Sequence, residues 1–138
     1  MKLKIKYPFK KKKSQKYLYD SNKFFVAFKG IKTVFLEESS VRYQLLVLVA
    51  TILLGILLRI TIIEWVAIII LAIIVFTLEI INTAIENIVD MISPEYNKMA
   101  GKIKDIAAGA VLISTIGSIL VGVIIFYPRV IDLLWRLS

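Results

Sequence analysis

The chain has 138 residues, of which 59% are hydrophobic, and it carries a formal net charge of +8. Its length allows one domain, and its mean hydropathy of +0.82 is typical of a membrane protein. Because the sequence contains neither cysteine nor histidine, disulfides, thiolate metal sites and catalytic triads that use histidine are excluded.

The first 20 residues form a strongly basic tail. Eleven of the eighteen basic residues are lysines within the first 32 positions, and residues 1–20 are predicted to be a disordered cytoplasmic segment. Their charge fits the positive-inside rule and adds attraction to the anionic headgroups of bilayer lipids. No nucleic-acid partner is expected, because no recognisable nucleic-acid-binding fold follows the tail.

Residues 21–38 are predicted to form an amphipathic helix on the membrane surface. An apolar stripe at helical spacing is formed by Phe24, Phe28, Ile31 and Phe35. Lysines occupy polar positions of the same segment. This pattern indicates a helix that lies in the interface and precedes the first membrane span.

Three membrane spans are predicted to follow, at about 41–63, 65–92 and 105–127, within a single domain of residues 21–138. The first apolar run reaches the roughly 20 residues that a bilayer requires only with its flanking residues. The second run is longer than required, so its polar end should project beyond the hydrocarbon. The expected fold is an all-α membrane protein with an N-terminal surface helix and three transmembrane helices.

The distribution of lysines sets the expected topology. The positive-inside rule places the basic tail and the loop that contains Lys98 and Lys102 in the cytoplasm, which leaves the C-terminus outside. The third span repeats small residues every four positions, at Ser114, Ser118 and Gly122, and this spacing lets helices approach closely. Since three spans enclose little interior for buried carboxylates, self-association is expected.

Four polar residues interrupt the second span, at Glu79, Asn82, Glu86 and Asp90. At about 100° per helical residue, all four lie on one narrow face. A carboxylate at the centre of a bilayer costs on the order of 2.5–3.5 kcal/mol on insertion scales. The row must therefore face protein, water or a cation, which makes it the first hypothesis for a functional site.

The row suggests different chemistry at different depths. Glu86 and Asp90, near the cytoplasmic surface, suit Mg²⁺, which prefers one or two carboxylates together with phosphate oxygens. Glu79 lies deeper and could act as a general base at a lipid headgroup. Lys104 could hold phosphates as a point charge, although lysine is also common at the interface. The alternative is that the polar side chains only hydrogen-bond neighbouring helices.

The segment from Glu79 to Asp90 resembles the signature E-x-x-N-[ST]-A-[IV]-E-x-x-x-D of the prokaryotic diacylglycerol kinase family. The resemblance continues through Glu95-Tyr96, Lys104-Asp105 and residues 108–112, and it covers roughly residues 24 to 127. Within the family, the sequences NTAIEN and KDIAAGA look more like the undecaprenol kinases of Gram-positive bacteria than like the diacylglycerol kinases of Gram-negative bacteria.

This resemblance implies a homotrimer in the bacterial cytoplasmic membrane that transfers the γ-phosphate of MgATP to a lipid hydroxyl. Glu79 would be the catalytic base, and Glu38 and Glu86 would hold Mg²⁺. The other implied roles are nucleotide binding by Glu38, Glu86, Glu95, Tyr96, Lys104 and Asp105, support by Asn82 and Asp90, and lipid binding by Lys29, Gly30, Arg42 and Glu79.

Two positions depart from the family pattern. Gln44 stands where some members carry a second acidic residue, and Asn97 replaces a common histidine. The expected substrate is undecaprenol, with diacylglycerol as the alternative. A hypothesis of a different class is a non-enzymatic membrane oligomer, or a cation pathway lined by the carboxylates.

Overall fold

The computed structural model describes residues 23–137, and this part of the chain is entirely helical apart from short connections. Its four helices are α1 (Lys23–Glu37), α2 (Ser39–Leu57), α3 (Ile62–Ile92) and α4 (Lys98–Leu137). The prediction of an all-α chain is confirmed, and α2, α3 and α4 are each long and apolar enough to cross a membrane. The predicted basic tail lies outside the described residues.

Helices α1 and α2 meet at a single non-helical residue, Glu38. Its backbone N–H donates to the carbonyl of Val34 at 2.8 Å, and Arg42 donates from Nη1 to the carbonyl of Leu36 at 2.9 Å. Both bonds satisfy carbonyl groups at the C-terminal end of α1. Phe35 of α1 stacks on Phe76 of α3, with 6.3 Å between the ring centroids, so α1 is fixed against the bundle at its C-terminal end.

Helix α2 is shorter than the span predicted over 41–63, because a tight turn follows Leu57. Arg59 in this turn has a φ of 50°, in the left-handed region that helix-forming residues avoid. Close packing holds the turn: a Cβ added at Gly55 would lie 2.8 Å from the ring of Trp65. The residues after Ile60 therefore belong to the start of α3 and not to the first span.

Helix α3 begins at a capping box. The hydroxyl of Thr61 accepts from the backbone N–H of Glu64, and the Glu64 carboxylate accepts from the backbone N–H of Thr61 at 2.7 Å. The helix continues for 31 residues, or about 46 Å at 1.5 Å per residue. This exceeds a hydrocarbon core of about 30 Å, as the sequence predicted for this segment.

Helix α4 begins earlier and ends later than the span predicted over 105–127. The side chain of Asn97 accepts from the backbone N–H of Met99 at 2.9 Å, and this cap starts the helix at Lys98. At the other end the helix continues through Pro128 to Leu137.

Two ion pairs join α3 and α4, which form the most extensive helix–helix contact of the described chain. Arg129 contacts Glu64 at 2.7 Å, and Lys104 contacts Asp90 at 2.5 Å. The separation of the partners along α3 (64 to 90) nearly equals that along α4 (104 to 129), as a single antiparallel register requires. The pairs are therefore about 39 Å apart along the helix axes.

Candidate functional site

The predicted base, Glu79, is shielded from solvent within the single chain. Its exposed fraction is 6%, and that of Thr83, one turn further along α3, is 5%. They are the only buried polar or charged residues in the part of the chain that the structure describes. Asn82 and Glu86 are half-buried and Asp90 is exposed, so burial decreases along the row from Glu79 to its outer end.

Asn82 and Glu86 are in direct contact on the same face. Nδ2 of Asn82 donates to Oε1 of Glu86 at 2.9 Å, in partly buried surroundings. The carbonyl oxygen of the Asn82 side chain is buried and has no hydrogen-bond partner among the described residues. The amide thus fixes one oxygen of the Glu86 carboxylate and presents an unused acceptor within one turn of Glu79.

Lys104 extends from α4 to the carboxylate of Asp90, the last member of the polar row. The pair lies one turn beyond Glu86 along α3, so a positive charge stands at the outer end of the row. Asp90 hydrogen-bonds a neighbouring helix, which is the structural alternative that the sequence left open for it. Lys104 is half-buried, and its ammonium group carries three donors, of which Asp90 uses one.

Glu38 lies close to the level of the polar row, although among the described residues no hydrogen bond joins it to Glu86. Helices α2 and α3 are antiparallel and connected by a short turn. Along the chain, Glu38 precedes Leu57 by as many residues as Ile81 follows Ile62. It is therefore level with the segment between Glu79 and Glu86, to within about one helical turn. Its half-buried side chain makes no capping hydrogen bond to α2, so its carboxylate is not used for capping.

The described residues contain no group of three or more acidic side chains that could enclose a metal ion by themselves. A site for Mg²⁺ at this face would combine one or two carboxylates with other ligands. That combination suits this ion, which typically takes one or two carboxylates together with phosphate oxygens and water. Glu86, held by Asn82, and Glu38 are carboxylates of this kind.

The remaining residues of the predicted nucleotide site are exposed at the same end of the bundle. Tyr96 is 97% exposed, and Glu95 and Asp105 are also exposed. The hydroxyl of Ser93 donates to the backbone carbonyl of Glu95 at 3.3 Å, so this bond uses the main chain of Glu95 and not its carboxylate. Asn97, which departs from the family pattern, serves as the cap of α4.

Two of the residues predicted to bind lipid lie on α1. Lys29 and Gly30 are exposed there, and Gly30 has open space around it. Arg42 is exposed at the start of α2, where its guanidinium is bound to the end of α1. All three are therefore on or beside the segment predicted to lie on the membrane surface.

A groove of about 580 Å³ between α2, α3 and α4 was not predicted from the sequence. Its lining is almost entirely apolar, and it runs from Gln44 and Phe76 at one end to Leu54 and Phe126 at the other. Phe76 is three residues from Glu79, so the groove ends about 4.5 Å below the base along the axis. Small residues such as Ala50, Ala72, Ser118 and Gly122 leave this space open, and their coincidence in three helices was the only sequence signal.

Gln44 is the one amide side chain in the wall of this groove. Its Oε1 atom is buried and lacks a hydrogen-bond partner among the described residues. Leaving such an acceptor unpaired costs about 1–3 kcal/mol. The position that departs from the family pattern thus carries an unused polar group at the end of the groove nearest Glu79.

Comparison with known proteins identifies relatives over most of the chain. Residues 25–126 match the profile of the family described as prokaryotic diacylglycerol kinase. Undecaprenol kinase of Bacillus subtilis (strain 168) is 36% identical over 112 residues, which are 78% of this chain and 91% of that protein. Diacylglycerol kinase of Escherichia coli (strain K12) is 29% identical over 103 residues, or 75% and 84%. Diacylglycerol kinase of Synechocystis sp. is 33% identical over 115 residues, or 80% and 64%.

Proposed function

Since the chain belongs to the prokaryotic diacylglycerol kinase family, we propose that it transfers the γ-phosphate of MgATP to the hydroxyl of a lipid alcohol, with undecaprenol as the substrate. The greater identity to an undecaprenol kinase, 36% against 29% for the Escherichia coli diacylglycerol kinase, supports this choice. Diacylglycerol is the second candidate substrate, because several relatives are named for it.

The lengths of the helices support a site at the membrane interface. Helix α2 has 19 residues, or about 28 Å, close to the hydrocarbon thickness of about 30 Å. If α2 crosses that core, the boundary lies near Ser39, which is level with Ile80 of α3. Glu79 is then at the boundary, and Glu86 and Asp90 lie in the part of α3 that projects into water.

In the proposed reaction, Glu79 acts at the membrane boundary and Glu86 acts in the part of α3 that projects into water. The hydroxyl of the lipid reaches the boundary and donates its proton to Glu79 while its oxygen bonds to the γ-phosphorus of ATP. The bond between that phosphorus and the β–γ bridging oxygen breaks, and ADP leaves. Glu38 and Glu86 would hold a Mg²⁺ ion, with the amide of Asn82 orienting Glu86, and the ion would supply neutralisation of the phosphate charge. Positioning and charge neutralisation suffice for phosphoryl transfer, so a Gly-rich phosphate loop is not required.

The nucleotide is proposed to bind at the projecting end of the bundle. Lys104 supplies a positive charge to the phosphates, and Asp90 holds its ammonium group at the level of the row. Glu95, Tyr96 and Asp105 complete the nucleotide site from the connection between α3 and α4 and the start of α4. Their exposure leaves them accessible to a nucleotide that arrives from water.

The lipid chain is proposed to occupy the apolar groove beneath Glu79. Lys29, Gly30 and Arg42 contact its headgroup region from the surface helix. Helix α1 lies on the cytoplasmic face, since it exposes aromatic side chains such as Phe24 and Phe28 beside a lysine-rich tail. With three spans, the N-terminus is cytoplasmic and the C-terminus is outside.

Residues 21–138 are proposed to act as one kinase domain that assembles as a homotrimer. The apolar faces of all three candidate spans are largely exposed in the single chain. Association in lipid relies on close packing of small residues, which α4 supplies at Ser114, Ser118 and Gly122. Residues 1–20 act as a basic tail that contacts anionic lipids.

The observation that carries the proposal is the shared face of Glu79, Asn82 and Glu86 within a matched family segment. It is tested by incubating the purified chain in mixed micelles with labelled ATP, Mg²⁺ and undecaprenol. Label should appear in undecaprenyl phosphate with the wild-type chain, and it should be absent when Mg²⁺ is omitted. Replacement of Glu79 by Gln should lower the rate of labelling by about 10²- to 10⁴-fold. Failure of the wild-type chain to phosphorylate undecaprenol or diacylglycerol would favour a non-enzymatic oligomer or a cation pathway.

A further inference from the structure

The ends of α3 and α4 that lie farthest from Glu79 are joined by an ion pair that the proposed reaction does not use. Nη2 of Arg129 donates to Oε2 of Glu64 at 2.7 Å, and the two side chains are 25% and 23% exposed. The same carboxylate oxygen accepts from the backbone N–H and the hydroxyl of Thr61, at 2.7 and 2.8 Å. Charge-assisted bonds in partly shielded surroundings are stronger than ion pairs at an open surface.

Arg129 is anchored on its own helix as well. Its Nη1 donates to the carbonyl of Ile125 at 2.8 Å. Pro128 precedes it inside α4, and proline removes a backbone donor and weakens the helix at that turn. The guanidinium of Arg129 therefore bonds both to the turn of α4 that contains Pro128 and to Glu64 of α3.

Apolar packing joins α3 and α4 at this same end, where Ile68 and Ile125 belong to one buried cluster and Phe126 packs against it. Elsewhere on α4, a Cβ added at Gly109, Gly117 or Gly122 would meet no atom within 4 Å, so these positions are not interlocked with a neighbour. Helices hold their register by fitting the ridges of one into the grooves of the other. The register therefore depends on the contacts near Arg129 more than on the glycine positions, and a slide of one turn would displace a helix by about 5.4 Å.

We propose that Glu64 and Arg129 are a positioning pair for the kinase site. Because the spacing between the two ion pairs is nearly equal on α3 and α4, any slide that separates Glu64 from Arg129 also changes the level of Lys104 relative to Asp90 and Glu86. The Glu64–Arg129 pair thus fixes the position along the helix axes of Lys104, the residue proposed to face the phosphates. Its kinetic consequence rests on the proposed function, whereas its effect on the register does not.

The register is measured with spin labels attached at Ile81→Cys and Ile124→Cys, in a chain that has no natural cysteine. Both positions are exposed, and labelled chains are diluted with unlabelled ones so that only distances within one chain are recorded. Arg129→Met should shift or broaden the distance distribution by up to about 5.4 Å, the rise of one turn. The charge exchange Glu64→Arg with Arg129→Glu should restore it, and Asp132→Asn, at an exposed carboxylate of the same end, should leave it unchanged.

Kinetics give the second measurement. Since a displacement of about 1 Å at a site can reduce the rate of reaction by about 10²-fold, Arg129→Met should lower kcat/KM for MgATP by at least tenfold. The loss should appear as a higher KM for MgATP, with the KM for the lipid alcohol near the wild-type value. A general loss of folded protein would instead lower the apparent kcat and leave both KM values unchanged. An unchanged distance distribution in Arg129→Met would overturn the proposal, even if the variant melts at a lower temperature. A shifted distribution in a chain whose wild type transfers no phosphate would support the register role and refute the proposed function.

Discussion

Replacement of Asn82 by Ala tests whether the amide orients a metal-binding carboxylate. The hydrogen bond from Nδ2 to Oε1 of Glu86 is 2.9 Å long and has a charged acceptor, and bonds of this kind contribute about 1.5–3 kcal/mol. Because about 1.4 kcal/mol corresponds to a factor of ten, complete loss of this orientation should weaken Mg²⁺-dependent nucleotide binding by about 10- to 150-fold.

The assay is a Mg²⁺ titration of phosphate transfer at fixed ATP, with nucleotide binding measured separately by calorimetry. Asn87→Ala is the matched control, since Asn87 is exposed on the same helix beside Glu86. The Mg²⁺ midpoint should rise for Asn82→Ala and stay unchanged for Asn87→Ala. Equal midpoints for Asn82→Ala and the wild type would refute the idea that the Asn82–Glu86 bond positions the metal ligand.

Three further substitutions separate the proposed roles. Glu79→Gln should lower kcat by about 10²- to 10⁴-fold, the usual contribution of a general base, while calorimetry should show nearly unchanged MgATP binding; a near-normal kcat would remove Glu79 as the base. Lys104→Met should raise the KM for MgATP with little change in the KM for the lipid, and the reverse pattern would place Lys104 at the lipid. Gly55→Leu should clash with the ring of Trp65 and destabilise the fold by about 1–3 kcal/mol, which thermal melting in detergent would record; an unchanged melting temperature would contradict the close contact at this turn.

The helical architecture and the face of the polar row could be predicted from local patterns. Apolar runs of sufficient length identify α2, α3 and α4, and a spacing of 3, 4 and 4 residues places Glu79, Asn82, Glu86 and Asp90 on one side of a helix. These features depend on neighbouring residues within one segment. The burial of Glu79 could also be predicted, because a carboxylate in an apolar helix must be shielded from the hydrocarbon.

The ends of the helices could not be predicted in the same way. Helix α2 stops at Leu57 because Trp65, from the next helix, packs on Gly55 and the chain turns through Arg59. Helix α4 starts at Lys98 because Asn97 caps it. Apolar content identifies the part of a helix that suits a membrane, whereas caps and tertiary contacts decide where the helix ends.

Contacts between segments that are distant in the sequence could not be predicted from sequence patterns either. Glu64 and Arg129 are 65 residues apart, and nothing in either segment specifies the other as its partner. The groove under Glu79 arises only when small residues of three helices come together. Both features depend on the register between helices, which the hydrophobic pattern of single segments does not determine.

The most direct test of the proposed reaction compares kcat/KM for undecaprenol and for diacylglycerol with the same purified chain, MgATP and mixed micelles. The wild-type chain should phosphorylate undecaprenol with the higher kcat/KM, and Glu79→Gln should lower transfer to both lipids by about 10²- to 10⁴-fold. Transfer that strongly favours diacylglycerol would contradict the proposed substrate, and near-normal transfer by Glu79→Gln would contradict the proposed base.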